Sequence, residues 1–189
     1  NKGEGMQVNA ELGKSDIHLN VWNNLPGQGQ EDLAYKLANA GYKVVYTSAA
    51  NNYLDMSWDR DFADPGHSWV GTVNLNRTYS FAPENFFINL RKDDTGKDLV
   101  KEAYTNKEQL TAEGKKNLLG IKGALWAEKV STDQRLEEMI FPRLIAIADR
   151  AWAQEQAWEK GNSYDEATYR KAYTAFIKKL GEDEVKKLD

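Results

Sequence analysis

Three short stretches of this sequence place an aromatic ring or a carboxylate where a strand would end. Trp22 closes the run Asp16-Ile17-His18-Leu19-Asn20-Val21-Trp22, and Tyr53 and Asp55 lie just past a β-branched run over 43–48. Trp126 and Glu128 close Ile121-Lys122-Gly123-Ala124-Leu125-Trp126-Ala127-Glu128. Rings can wall a pocket for the apolar face of a ligand, and carboxylates accept hydrogen bonds from paired hydroxyls, so the set suits a sugar. The alternative reading makes the rings core plugs and the acids solvated loop residues. Trp58 and Trp69 stand in a longer connection beside Asp59, Asp61 and Asp64. Trp69 suits stacking on a sugar, whereas Trp58 suits a loop folded over its own aromatics. The aspartates 55, 59, 61 and 64 lack the glycine and closing glutamate of a calcium loop, so no metal is expected there. With His18 and His67 the only histidines and no cysteine, no transition-metal ligand set is expected either.

The elements that must position these residues follow from hydropathy patterning. Residues 16–22 alternate apolar and polar with period two and stop at the turn cluster Asn23-Asn24-Leu25-Pro26-Gly27. Over 31–40, Leu33, Ala34, Leu37 and Ala38 form a helical stripe that Gly41 caps. The run 43–48 then reads as a buried strand, which completes a right-handed parallel βαβ unit. Residues 49–107 break the rhythm with a connection rich in Trp, Tyr, Asp and Asn, of the length that functional loops have. A weak helix is predicted over 108–119, a buried strand over 121–127, and a helix over 131–152 opened by a Ser131-x-x-Gln134 capping box. Pro142 inside that helix predicts a kink or break. An amphipathic helix over 165–180 and a charged, solvated tail over 181–189 complete the chain. The adjacent acids Asp165-Glu166 and Asp183-Glu184 fall on terminal helical sequence and are expected to be solvated.

The bulk numbers narrow the classes. The chain has 189 residues, 41% hydrophobic and 29% charged, which is a globular composition expected to form a single domain over 1–189. A net charge of −4 gives no footprint for nucleic acid. No apolar run approaches the roughly 18–20 residues that span a bilayer. Three parallel strands cannot close a barrel of eight, and parallel sheets need both faces covered, so the expectation is a part of something larger.

Several of these stretches together resemble the family 20 glycoside hydrolases, the β-N-acetylhexosaminidases, and among them the bacterial chitobiases. The carriers are Val21-Trp22-Asn23, Gly41-Tyr42-Lys43-Val44-Val45, Asn52-Tyr53-Leu54-Asp55, Tyr79-Ser80-Phe81-Ala82-Pro83, Gly123-Ala124-Leu125-Trp126-Ala127-Glu128, Pro142-Arg143 and Arg150-Ala151-Trp152. They occur in family order and cover nearly the whole chain. The resemblance implies an α/β fold that is part of a (β/α)8 TIM barrel, roughly strands six to eight with their helices and a C-terminal helix. It implies an exo-acting enzyme in which the substrate's 2-acetamido oxygen attacks the anomeric carbon, a route outside the two-carboxylate scheme. Tyr53 would hold that acetamido carbonyl, Trp22 and Trp126 would wall its pocket, Asp55 and Glu128 would bind hydroxyls of the terminal sugar, and Trp69 would stack at the leaving-group side.

The same resemblance implies chitobiose or chitin oligosaccharides as substrates, no cofactor, and a periplasmic, outer-membrane or secreted location in a Gram-negative bacterium. The family's acid, a Glu after an Asp in a His-x-Gly-x-Asp-Glu context, is not in this chain. The expected partner is therefore the amino-terminal part of the same catalytic domain, without which the chain would be inactive. An open barrel edge at 16–22 and uncovered apolar helix faces would favour self-association. From another class, a non-catalytic sugar-binding or interaction module is the alternative.

Overall fold

The structure, a computed structural model, describes residues 17–61, 64–90, 97–98, 104–153, 155–161 and 164–186, with backbone alone for 89 and 182–186. Three parallel strands, β1 (His18–Val21), β2 (Lys43–Tyr46) and β3 (Leu118–Ile121), form one sheet in that order. Val21 lies opposite Tyr46, and Tyr46 opposite Ile121, so the carboxyl ends of all three strands share one rim.

Helix α1 (Leu33–Asn39) joins β1 to β2 and buries Leu33, Ala34 and Ala38 against Val21, Val44 and Tyr46. The chain leaves α1 through Gly41 at φ +93°, a conformation that a side chain would strain. Phe81 and Phe86 complete this cluster; Tyr46 meets Phe81 at 5.0 Å. The alternate strand residues His18, Asn20, Lys43 and Val45 stay exposed or half-exposed. Within the described residues the sheet is therefore covered on one face, whereas parallel sheets are ordinarily covered on both.

The long connection carries short helices, α2 (Ala49–Asn52) and α3 (Leu75–Tyr79), and a 3-10 turn over Phe86–Asn89. Helix α4 (Ala112–Lys115) is a single turn capped by Thr111, so the helix expected over 108–119 shrinks to four residues. The third strand then comes earlier than expected. It occupies 118–121 rather than 121–127; of the expected run Ile121 pairs within the strand, and Ala124 makes an isolated bridge to Tyr53. Pairing with Val44 and Tyr46 across a register shift fixes that position, which local pattern did not reveal.

Helices α5 (Asp133–Ile140) and α6 (Arg143–Trp152) are separated at Phe141-Pro142, where the sequence placed a kink or break. The cap of α5 is Thr132, whose hydroxyl accepts from the Arg135 amide at 3.0 Å, not Ser131. Helix α6 packs on α3 and β3, and a Cβ on Gly123 would come within 2.9 Å of Ile147 Cδ1. Phe141, Leu144, Ile145 and Trp152 remain exposed on this helical pair, Trp152 at 90%.

Helix α7 (Glu166–Lys186) extends beyond the helix expected over 165–180 into the charged tail. It docks through Tyr169 and Phe176, the latter stacked on Tyr79 at 4.6 Å. Asp165 is exposed and caps α7 through Thr168, and Glu166 pairs with Arg170 at 2.8 Å. The side chains of Asp183 and Glu184 lie outside the described residues. No helix among the described residues is long and apolar enough to cross a membrane.

Candidate active site

The carboxyl rim of the sheet is extended by the segment after β2. Past α2 the chain straightens: the Leu54 amide donates to the Ala124 carbonyl at 2.7 Å, and the Ala124 amide to the Asn52 carbonyl at 3.1 Å. This pairing sets Tyr53 beside Trp126, ring centroids 4.6 Å apart. A second pairing, His67 amide to Asp55 carbonyl (2.8 Å) and Ser57 amide to His67 carbonyl (2.7 Å), folds the loop back and brings up Trp69. The Trp69 ring meets Tyr53 edge-on at 5.8 Å and Trp22 at 6.4 Å.

These rings line a cavity of about 660 Å³, within the range of small-molecule sites. All six residues singled out from the sequence, Trp22, Tyr53, Asp55, Trp69, Trp126 and Glu128, line it. Tyr53 is the buried centre at 4% exposure, while Trp22, Trp69 and Trp126 stand 45–47% exposed as open walls. Trp126 and Glu128 do not end a strand; they lie at and within the 3-10 turn Ala127–Lys129 that follows it. Trp58 lies outside the cavity lining and packs under the Arg143 guanidinium at 4.4 Å.

Asn20, Thr47, His67 and Lys122 also line the cavity and were not singled out from sequence. Asn20 shares the strand alternation of Trp22, a signal that could have found it. His67 arrives through loop pairing, which leaves no local signature.

Tyr53 and Asp55 are electrostatically distinctive. Burial, then the nearby Asp55 charge, pushes the Tyr53 phenol up to about 12, so it remains a neutral donor across the physiological range. Its hydroxyl has no partner among the described residues. Burial also lifts the Asp55 carboxyl above its ordinary range, aided by Glu128 and opposed by its own amide, His67 and Arg143. Asp55 Oδ1 is buried without a hydrogen-bond partner. Asp64 is the reverse case. Burial opposes its charge, but the Trp58 and Gly66 amides and Arg135 outweigh that and hold its carboxyl below the ordinary range. Its commitment to protein donors leaves it unsuited to calcium, and no metal-holding cluster of three or more ligands occurs among the described residues.

The arrangement offers apolar ring faces, a neutral hydroxyl donor, and two carboxylates with spare acceptor capacity. That combination can hold a ring-shaped ligand bearing hydroxyls and a carbonyl.

The sequence profile of glycosyl hydrolase family 20, catalytic domain, matches residues 3–155. An N,N'-diacetylchitobiase of Vibrio harveyi is 30% identical over 92% of this chain and 20% of its own length. A beta-hexosaminidase of Vibrio vulnificus is 36% identical over 70% of this chain and 15% of its own. The chain thus spans about a fifth or less of the length of these curated relatives. Among solved structures, an exo β-N-acetylglucosaminidase of Vibrio harveyi in complex with N-acetylglucosamine superposes with TM-score 0.56 at 24% identity, over 89% of this chain and 21% of that one. An N-acetyl-β-hexosaminidase of Streptomyces plicatus does so with TM-score 0.53 at 23% identity, over 80% and 25%. With the profile covering most of its length, the chain belongs to glycosyl hydrolase family 20.

Proposed function

We propose that this chain is the carboxyl-terminal part of the catalytic barrel of an exo-acting β-N-acetylhexosaminidase. It would supply the pocket for the terminal N-acetylglucosamine of chitin oligosaccharides. The observation that carries this reading is the Tyr53 hydroxyl, an unspent donor on a ring whose centroid lies 4.6 Å from that of Trp126 and 5.8 Å from that of Trp69.

In a substrate-assisted reaction the acetamido oxygen is the nucleophile, so the protein must orient it and keep water away. Tyr53 donates to that carbonyl and remains protonated while doing so, because its phenol titrates only near 12. Trp22 and Trp126 pack the acetamido methyl group, Asp55 and Glu128 accept from sugar hydroxyls, and Trp69 stacks on the sugar across the scissile bond. In this reading none of these groups protonates the leaving oxygen. That proton comes from the Asp-Glu pair of the amino-terminal part, whose strands and helices would cover the open sheet face and the stripe Phe141, Leu144, Ile145 and Trp152.

The test is an assay of the pure chain on an aryl N-acetylglucosaminide, with and without the amino-terminal part of the domain. No turnover alone, and turnover on addition of that part, is expected. Release of the aryl group by the chain alone would overturn the assignment of the acid. Binding of N-acetylglucosamine with no turnover under either condition would favour a sugar-binding module.

A further inference from the structure

Arg143 has no exposed surface and no carboxylate partner within salt-bridge distance among the described residues, yet its donors are nearly all spent. Nη1 donates to the carbonyls of Met56 (2.9 Å) and Val73 (2.8 Å), and Nη2 to those of Met139 (2.6 Å) and Leu54. Leu54 and Met56 flank Asp55, and Leu54 follows Tyr53. One rigid fork thus ties both shoulders of Asp55 to the start of α6, with the Trp58 ring packed against it at 4.4 Å. The same segment carries Tyr53 and, through the Asp55–His67 pairing, the approach to Trp69.

We infer that Arg143 is a positioning residue for the sugar pocket: its guanidinium sets the backbone at 54 and 56 and thereby fixes where Tyr53 and Asp55 present their oxygens. A planar guanidinium can reach four carbonyls in one plane; a lysine ammonium concentrates its donors on one atom and cannot span them. Displacement of a positioning group by about 1 Å is enough to cost on the order of a hundredfold in a pre-organised site. The identity of the ligand rests on the reading proposed above; the positioning of the rings does not.

Arg150 is the matched control. It is also buried on α6, but it donates to the Phe81 carbonyl and pairs with Glu159, away from the cavity lining of Tyr53 and Asp55. The experiment compares Arg143→Lys with Arg150→Lys in the chain, using the indole N–H resonances of Trp69 and Trp126 and the affinity for N-acetylglucosamine. Arg143→Lys should shift both resonances and weaken binding by about tenfold or more. Arg150→Lys should leave both unchanged in the folded fraction. Equal behaviour of the two variants, or unmoved resonances in a folded Arg143→Lys chain, overturns the inference. Should Arg143→Lys fail to fold, Trp58→Leu removes the ring packed against the guanidinium and should shift the same resonances by less; no shift overturns the inference. Shifted resonances in a protein whose parent form does not bind N-acetylglucosamine would refute the sugar reading and leave the positioning intact.

Discussion

Asp55 and Asp64 lie on the same connection between β2 and α3, and the fold treats their carboxylates in opposite ways. Asp64 lies outside the cavity lining, and two amides and Arg135 occupy its oxygens. Asp55 faces the cavity, is almost fully buried, and keeps Oδ1 without a partner. Burial alone does not separate these roles. What separates them is whether hydrogen-bonding capacity is used within the protein or left open, and a buried unpaired acceptor destabilises the free protein. The same division runs through the tyrosines, with the buried arginines on the spent side. Arg150 is spent on Glu159 at 2.6 Å and Tyr35 on the Pro83 carbonyl at 2.9 Å, whereas the Tyr53 hydroxyl is unspent.

The largest effect should come from the spent side. Asp64→Asn removes the ion pair to Arg135 and weakens two amide bonds, for a loss of about 1–3 kcal/mol at neutral pH. Because the folded Asp64 carboxyl titrates below its ordinary value, its contribution is full above about pH 3.9 and is lost as pH falls through the lowered folded value. Urea midpoints at pH 7 and pH 3 should therefore differ for wild type and variant at the first pH and converge toward the second. A penalty that grows with acidity would break the contrast with Asp55.

Asp55→Asn should act in the other direction. A carboxyl whose folded value is raised favours folding while it is protonated, and that advantage is lost as pH rises from the unfolded value of about 3.9 through the raised folded one. At pH 7 the neutral amide should hold stability level or raise it by up to about 1 kcal/mol, while N-acetylglucosamine affinity drops. A loss of more than about 1 kcal/mol with unchanged affinity would make Asp55 a structural acid like Asp64.

Much of the spent side was invisible to the sequence for a physical reason. Arg143 reaches carbonyls at 54, 56 and 73, and no local pattern encodes which backbone groups a distant helix will satisfy. The start of β3 was misplaced for a related reason: Leu118-Leu119-Gly120-Ile121 follows a helical turn and contains a glycine, and only pairing with β2 makes it a strand. The one-residue error from Ser131 to Thr132 concerns two adjacent hydroxyls that are interchangeable by type. The cavity side was more legible. Trp22, Tyr53 and Asp55 follow strands whose alternation or β-branching is written locally, and parallel pairing must bring such ends to one rim. His67 escaped because loop pairing, not strand order, delivers it, and Lys122 because it directly follows β3, whose position was misplaced.

The smallest stability effect tests the unspent side at its most exposed point. Trp22 is 47% exposed, and its ring neighbour is Trp69, edge-on at 6.4 Å. Trp22→Phe keeps an aromatic face and should change stability by no more than about 0.5 kcal/mol. It shortens the wall, however, and should weaken N-acetylglucosamine binding by about threefold to tenfold, the equivalent of one aromatic contact of about 0.5–1.5 kcal/mol. Glucose, which lacks the acetamido group, should bind wild type and variant alike, because the lost surface is assigned to the acetamido methyl. If the substitution instead lowers the urea midpoint and leaves both sugars unaffected, Trp22 belongs with the spent residues. Exposure at a strand end would then mark a packing seam, not a ligand wall.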